Sequence, residues 1–269
     1  MADNLTAREV APETREALVD LLFQLADDDL LVAFHGSEWL GLAPHVEEDV
    51  ALSSLAQDEM GHAAMYFGLL EDLGVGSRDD LAHLRPPATR RNAILVELKN
   101  GPGTYLENPH YDWAFTIARA YCYDVMEGLR LERLQASSYQ PLREVAQKIQ
   151  GEEKYHRMHH EIWIRRMALD SEAKSRLQTA FNRVAAVAGD LGSTGQYTTE
   201  LETTGLLPEA SSLSKAWQAH VAEFLLAHGL TWPGATESRA GRTGEHTRDL
   251  EAALDTLSEV YRSDPSARW

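Results

Sequence analysis

Apolar and polar residues alternate with a helical period along most of the chain, and four stretches carry a stripe long enough to bury one face of a long helix. In the first, Leu18, Leu22, Leu25, Asp29 and Val32 recur at steps of three and four, predicting a helix from about Pro12 to Phe34 that ends near Gly36. After the turn GSEWLGLAP, a second helix from about Pro44 to Leu73 presents Leu52, Leu55, Glu59, His62 and Tyr66, and closes at GVGSRDD. A third, from about Asp112 to Gln135, repeats Ile117, Ala120, Asp124, Gly128 and Leu131. In a fourth, Pro141 suits the first turn and the end falls near Ala168. Its stripe is Leu142, Val145 or Ala146, Ile149, Glu153, His156, His160, Trp163 and Met167.

The connection between the second and third helices, LRPPATRRNAILVELKNGPGTYLENPHY, carries four prolines and little periodicity. It is long for a loop, so short helical pieces are expected within it. A fifth helix should run from near Ser171 to about Leu191, followed by a short one around Lys215 to His228 and a last one from about Thr247 to Tyr261. No stretch alternates as a strand does. Two helix pairs joined by a long crossover is the topology of an all-α, ferritin-like four-helix bundle. Residues 1–269 read as a single domain, with a core bundle at about 12–191 and a helical tail at about 192–269. On the tail, Trp217, Phe224, Leu225 and Leu226 form an apolar cluster followed by Trp232. Some of these should pack on the chain's own bundle and the rest are available to a neighbour, so the tail is expected to serve assembly while leaving the four-helix core intact without it.

Composition narrows the partners. With 42 acidic and 25 basic residues the formal charge is −17, which argues against nucleic acid and anionic membrane as binding surfaces. A single cysteine, Cys122, allows no disulfide within the chain and suits a reducing compartment. The N-terminus lacks a signal-peptide pattern and no segment reaches membrane-spanning length, so a cytoplasmic, soluble protein is expected.

The chemistry lies where polar residues interrupt the stripes. Glu59 and His62 are three residues apart and share a helix face, as are Glu153 and His156. Each pair lies on the second helix of its half, and each first helix contributes an inward acid, Asp29 or Asp124. The spacing is thirty residues from Asp29 to Glu59 and twenty-nine from Asp124 to Glu153. One Glu-x-x-His pair is commonplace on a solvated helix; two, both in phase with the core and both preceded by an inward acid, are a pattern. A lone buried carboxylate costs several kcal/mol or stays protonated. Four carboxylates and two imidazoles around two divalent cations satisfy one another, which is the ligand set of dinuclear iron or manganese carboxylate proteins. Asp28 competes with Asp29 for the first-helix place, and Glu127 could substitute for Asp124. Glu152 is expected to face elsewhere. His159 and His160 fit roles behind the ligands or in packing, and Met60, Met65 and Met158 read as core filler. Tyr66, Tyr121 and Tyr155 are the tyrosines that could neighbour the centre.

With these residues in place, the chain resembles the family of A and C subunits of the multicomponent phenylacetyl-CoA epoxidases, nearly end to end. EWLGLAPHVEEDVALSSLAQDEMGH is similar to the family's Trp-x-x-x-Ala-Pro turn and second helix, which in the catalytic A subunit ends in Asp-Glu-x-Gly-His. There a ligand acid lies ten residues before the Trp, which gives Asp29 from Trp39, and a later one lies eleven after a Trp, which gives Asp124 from Trp113. The family's EExxH run matches Glu152, Glu153 and His156. The start LADDDLLVAFHGSEWLG, the length, and the tail SRAGRTGEHTRDLEAALDTLSEVYRSDPSARW with its terminal Trp are similar to those of C subunits. C subunits are generally non-catalytic partners of A and commonly lose the second-helix Glu-x-x-His; this sequence keeps it. The resemblance implies a C-type subunit that supports the A subunit while phenylacetyl-CoA is converted to its ring-1,2-epoxide by the complex, with a homodimer also open. It implies a metal set of Asp29, Glu59, His62, Asp124, Glu153 and His156, filled by two iron ions, by manganese, or by nothing. The alternatives are a di-iron oxygenase subunit active in its own right and, from another class, an iron-storage or manganese-catalase-like protein.

Overall fold

The computed structural model describes residues 10–236, 241–264 and 267. Residues 238–240, 265, 266, 268 and 269, part of the tail resemblance, lie outside the described residues. Four long helices form the frame. α1 (Pro12–Ser37) and α2 (Val46–Asp72) are an antiparallel pair joined by a short turn. The crossover that follows holds α3 (Arg78–His83), started by the Ser77 side chain accepting from the Asp80 N–H, a 3-10 turn at Pro87–Thr89, and α4 (Ile94–Glu97). The second pair is α5 (Trp113–Leu134), capped by Asp112, and α6 (Gln140–Met167), with Pro141 in its first turn. α1 lies along α2, α5 along α6, and α2 also meets α6. The expected all-α, ferritin-like bundle is present, with no strand among the described residues.

Four further helices pack on the frame and the crossover. α7 (Ser171–Ala185) starts at Asp170, whose carboxylate accepts from the Glu172 and Ala173 N–H groups. It stops short of Leu191. The chain instead makes a 3-10 turn at Ala188–Asp190, which aims the Asp190 carboxylate at the Ile94 N–H (3.1 Å) and the Gly241 N–H (3.2 Å). Beyond it come α8 (Thr198–Thr203), α9 (Leu213–Ala227) and α10 (Arg248–Ser263).

Part of the tail is built into the core. Trp217 of α9 is fully buried and donates through Nε1 to the Cys122 carbonyl at 2.8 Å, while Leu213, Val221 and Leu225 fill the same apolar cluster as α1 and α5. Leu226 alone of the predicted group is strongly exposed. Further on, Gly241 passes so close to the crossover that a Cβ there would sit 2.3 Å from the Asn92 carbonyl. That approach delivers Arg242 into the bundle, and His246 to Glu97 of α4 at 2.7 Å.

The sequence Asp27-Asp28-Asp29 shows how one helical turn distributes three buried charges. Successive side chains point about 100° apart, so each acid meets a different neighbour. Asp27 accepts from Arg85 (2.8 Å), Arg90 (2.9 Å) and the Arg91 N–H. Asp28 accepts from both Nη atoms of Arg242 (2.9 and 2.8 Å), from Arg130 and from the Ala93 N–H. Asp29 alone turns toward the middle of the bundle. Isolated buried carboxylates would be costly; here Asp27 and Asp28 each have cationic and backbone donors. No described helix is long and apolar enough to cross a membrane.

Candidate metal centre

Glu59 and His62 of α2, Glu153 and His156 of α6, Asp29 of α1 and Asp124 of α5 are all buried. Two overlapping groups each bring ligand atoms within 4.8 Å of one another: Asp29, Glu59 and His62, and then Glu59, Glu153 and His156. Glu59 belongs to both. His156 Nδ1 lies 3.1 Å from Glu153 and 3.3 Å from Glu59, and His62 Nδ1 lies 3.4 Å from Glu153 and 3.7 Å from Glu59. Both histidines thus turn Nδ1 inward, and their rings stack 6.0 Å apart. The 3.6-residue period placed them there, because each Glu-x-x-His pair replaces two apolar positions of a core stripe.

Their outward nitrogens are held crosswise. His62 Nε2 donates to Glu152 of α6 at 2.7 Å, and His156 Nε2 lies 3.4 Å from Asp58 of α2. Each of these acids immediately precedes the inward glutamate of its own helix and reaches the histidine of the other. Glu152 therefore does not face away from the centre, as its place beside Glu153 suggested. A histidine that binds metal through one nitrogen usually donates through the other to a carboxylate, which fixes ring orientation and raises basicity. The doubled acid before each x-x-His, Asp58-Glu59 and Glu152-Glu153, was the available sequence signal.

On α1 it is Asp29 that stands with Glu59 and His62, while Asp28 is committed to Arg130 and Arg242. Asp29 accepts from the Tyr123 hydroxyl through Oδ1, and its Oδ2 has no hydrogen-bond partner. On α5, Asp124 lines the same pocket as Glu59 and His156, and its Oδ2 shares a 2.6 Å hydrogen bond with His160 Nδ1. It stands beside the two groups and not within them. Glu127, one turn further, is paired with Arg130 at 2.9 Å. Tyr66 is fully buried with an unpartnered hydroxyl, in the field of Glu127, Asp29 and Glu153. Tyr155, Met60 and Met158, by contrast, are solvent-exposed, so neither the tyrosine's proximity nor the methionines' core role holds. Their positions fall on the outer face of α2 and α6.

The cluster's protonation follows from burial and proximity. Burial opposes charge on both histidines, but the carboxylates of Glu153 and Glu59 outweigh it, pushing His62 up to about 11 and His156 to about 12. Burial likewise opposes the Glu153 anion, yet His156 and His62 hold it down to about 2. Burial, reinforced by like charges, raises Asp29 and Asp124 well above the carboxylate range. The centre keeps several buried atoms without a hydrogen bond: Asp29 Oδ2, Glu59 Oε2, His62 Nδ1 and both Glu153 oxygens. These are the atoms a cation would satisfy. The donor set, carboxylate oxygen with imidazole nitrogen, suits iron or manganese, and these groups could hold a metal ion.

Fold and cluster together define a ferritin-like helical bundle with a buried acid–histidine centre at the meeting of its four long helices. The chain belongs to the phenylacetic acid catabolic protein family, whose profile matches residues 1–269. It is similar to the C subunit of the 1,2-phenylacetyl-CoA epoxidase of Escherichia coli (strain K12), at 27% identity over 249 residues, covering 91% of this chain and 96% of that protein.

Proposed function

We propose that this chain is a C-type subunit of a multicomponent phenylacetyl-CoA epoxidase, where it holds a catalytic A-type subunit and carries a dinuclear metal centre of its own. The observation that carries the first half is the similarity to the C subunit of such an enzyme over 91% of this chain and 96% of that protein. The second half rests on the paired acid–histidine groups and their unsatisfied atoms. Asp29, Glu59, His62, Glu153 and His156, with Asp124 beside them, are the residues that would hold the ions. Two iron ions are the proposed occupants, manganese the alternative. Bound iron would supply dioxygen-dependent redox chemistry. The chain's own groups orient the ligands: Glu152 and Asp58 fix the imidazoles, Tyr123 fixes Asp29, and His160 fixes Asp124. Phenylacetyl-CoA meets the complex at the A-type subunit, in the cytoplasm.

Co-expression with the A-type protein of the same complex tests this. Co-elution at low and high salt is expected; separate elution at both overturns the subunit reading. Metal analysis after anaerobic ferrous loading tests the centre, and much less than one iron per chain defeats it. A second reading, an oxygenase active by itself, is favoured by the complete ligand set and calls for single-turnover oxidation of phenylacetyl-CoA by the isolated, iron-loaded chain.

A further inference from the structure

Three tryptophans far apart in the sequence stand in one row with a tyrosine. Ring centres lie 5.5 Å apart from Tyr111 to Trp39, 4.9 Å from Trp39 to Trp113 and 5.0 Å from Trp113 to Trp163, all edge to face. Trp39 is buried, and its Nε1 donates at 3.1 Å to Thr116 Oγ1, which lines the pocket shared by Glu59, Asp124 and His156. Trp163 stands on α6 three residues beyond His160, the side chain that holds Asp124. Tyr111, Trp113 and Trp163 are half-buried and line an open cleft. The row thus leads from the wall of the centre's pocket to the surface.

Packing accounts for the edge-to-face contacts, but the polar atoms of the four rings follow a second pattern. At the two ends of the row a carboxylate accepts: Trp163 Nε1 donates to Glu48 Oε2 at 2.8 Å, and the Tyr111 hydroxyl donates to Glu38 Oε1 at 3.2 Å. In the middle none does, since Trp39 bonds to a hydroxyl and Trp113 Nε1 has no hydrogen-bond partner. Burial opposes charge on Glu38 and Glu48, yet His35 beside the first and His159 beside the second hold both below the ordinary carboxylate value. Both are therefore anions. Indole and phenol are the most readily oxidised of the aromatic side chains, and each becomes a strong acid on losing an electron. A ring cation without a proton acceptor passes its charge to the ring it touches. One beside a carboxylate gives up its proton and comes to rest as a neutral radical, because an unpaired buried charge is costly. The row has its resting places at its surface ends.

We propose that Trp39, Trp113, Trp163 and Tyr111 form a relay that carries oxidising equivalents from the centre to the surface when no substrate consumes them. The proposal rests on the metal-site reading above, with iron oxidised by dioxygen as the oxidant. Each event moves one electron inward and one proton sideways. Trp163 supplies its electron through Trp113 and Trp39 and gives its Nε1 proton to Glu48; Tyr111 supplies its electron through Trp39 and gives its hydroxyl proton to Glu38. The iron is reduced by one electron. A one-electron reductant of the thiol or ascorbate class, reaching the cleft, restores the ring, and the carboxylic acid returns the proton. The ligands and the tyrosines beside them, Tyr66 and Tyr123, are spared.

The test uses the full chain loaded anaerobically with ferrous iron, its iron content measured first. Dioxygen is then added without substrate or reductant. Rapid-freeze electron paramagnetic resonance, with ring-deuterated tryptophan to separate indole from phenol radicals, is paired with peptide mass spectrometry of oxidised residues. Radical and oxidation products should collect at Trp163 and Tyr111 and be absent from the iron-free chain. Trp113→Phe should abolish the Trp163 product, keep the Tyr111 product and leave iron content unchanged. Glu48→Gln, which keeps the shape of the acceptor and removes its charge, should abolish the indole radical and shift oxidation to Tyr111; it serves alone where circular dichroism shows that the Trp113 variant does not fold. Three outcomes overturn the relay in an iron-loaded chain: no ring oxidation under dioxygen, oxidation spread over exposed Tyr155, Met60 and Met158, or an undiminished Trp163 product in the folded variants. A chain that takes up no iron overturns the metal reading and the relay with it, an outcome visible in the first measurement.

Discussion

His62 of α2 donates its outward nitrogen to Glu152 of α6 at 2.7 Å, while the residue after Glu152 contacts the inward nitrogen of the same ring. The two helices therefore hold the imidazole from both sides. Glu152 is 46% exposed, so Glu152→Gln should leave the fold unchanged. Metal affinity should fall roughly 10–100-fold, the usual cost of losing such a supporting carboxylate. Asp58→Asn, at a contact of 3.4 Å, should cost less. Titration with ferrous iron or cobalt, with melting curves alongside, separates the effects; unchanged affinity in both variants would show that the crosswise acids do not serve metal.

The metal-free protein should lose stability as pH rises. His62 and His156 are raised to about 11 and about 12 in the folded chain, against about 6.5 when unfolded. Above the unfolded value the native state binds more protons than the unfolded one, and that advantage shrinks through the folded values. The raised Asp29 and Asp124 act in the same direction. Glu153, lowered to about 2, works on the acid side, and its contribution is lost as pH falls from about 4.5 toward that value. Melting temperatures of the apo chain should decline between about pH 7 and about pH 10, and a steady rise would contradict the charge assignment. Bound metal replaces the protons, so its affinity should increase with pH over the same interval.

Asp28 and Asp29 should part company on mutation. Arg242→Ala leaves Asp28 with only Arg130 as a cationic partner and empties a buried site, a loss of the size that breaking buried pairs brings, about 3–5 kcal/mol. Urea unfolding should record it, with metal loss following the loss of fold. Asp29→Asn removes an anion that burial already disfavours, so stability should change little while metal uptake drops. A stable Arg242→Ala protein would mean that the tail rests on the bundle without securing it.

The long helices and five of the six proposed ligands were legible because one rule, the 3.6-residue stripe, governs both packing and placement. Asp29 against Asp28 was not, since a rotation of one position decides it and the deciding partner, Arg242, is more than two hundred residues away. The tail's insertion was hidden for the same reason: Arg242 and His246 look like ordinary polar residues of a Gly-rich turn until Asp28 and Glu97 are brought to them. Glu152 was misplaced because it was read as a neighbour of a ligand on its own helix, when its partner His62 lies on the other, and Asp58 went unread for want of the same cross-helix contact. Met60, Met158 and Tyr155 occupy helix positions whose burial depends on a neighbour, and within this chain that face is open.

The supporting and metal-binding roles proposed for this chain should be separable at Glu59. Glu59→Gln keeps the shape of the side chain and removes the anion common to both acid–histidine groups. His156 loses one of its two inward carboxylate contacts and retains Glu153 at 3.1 Å, so the bundle should still close around a core whose four helices and docked tail are untouched. Metal content should fall to a small fraction of that of the parent. The proposed pairing with an A-type subunit would draw on the outside of the bundle, and it should persist at parental strength when measured by size-exclusion chromatography with the partner in excess. A Glu59→Gln chain that stays folded, loses metal and no longer pairs would show that the filled centre sets the conformation the partner recognises, which would join the two roles into one.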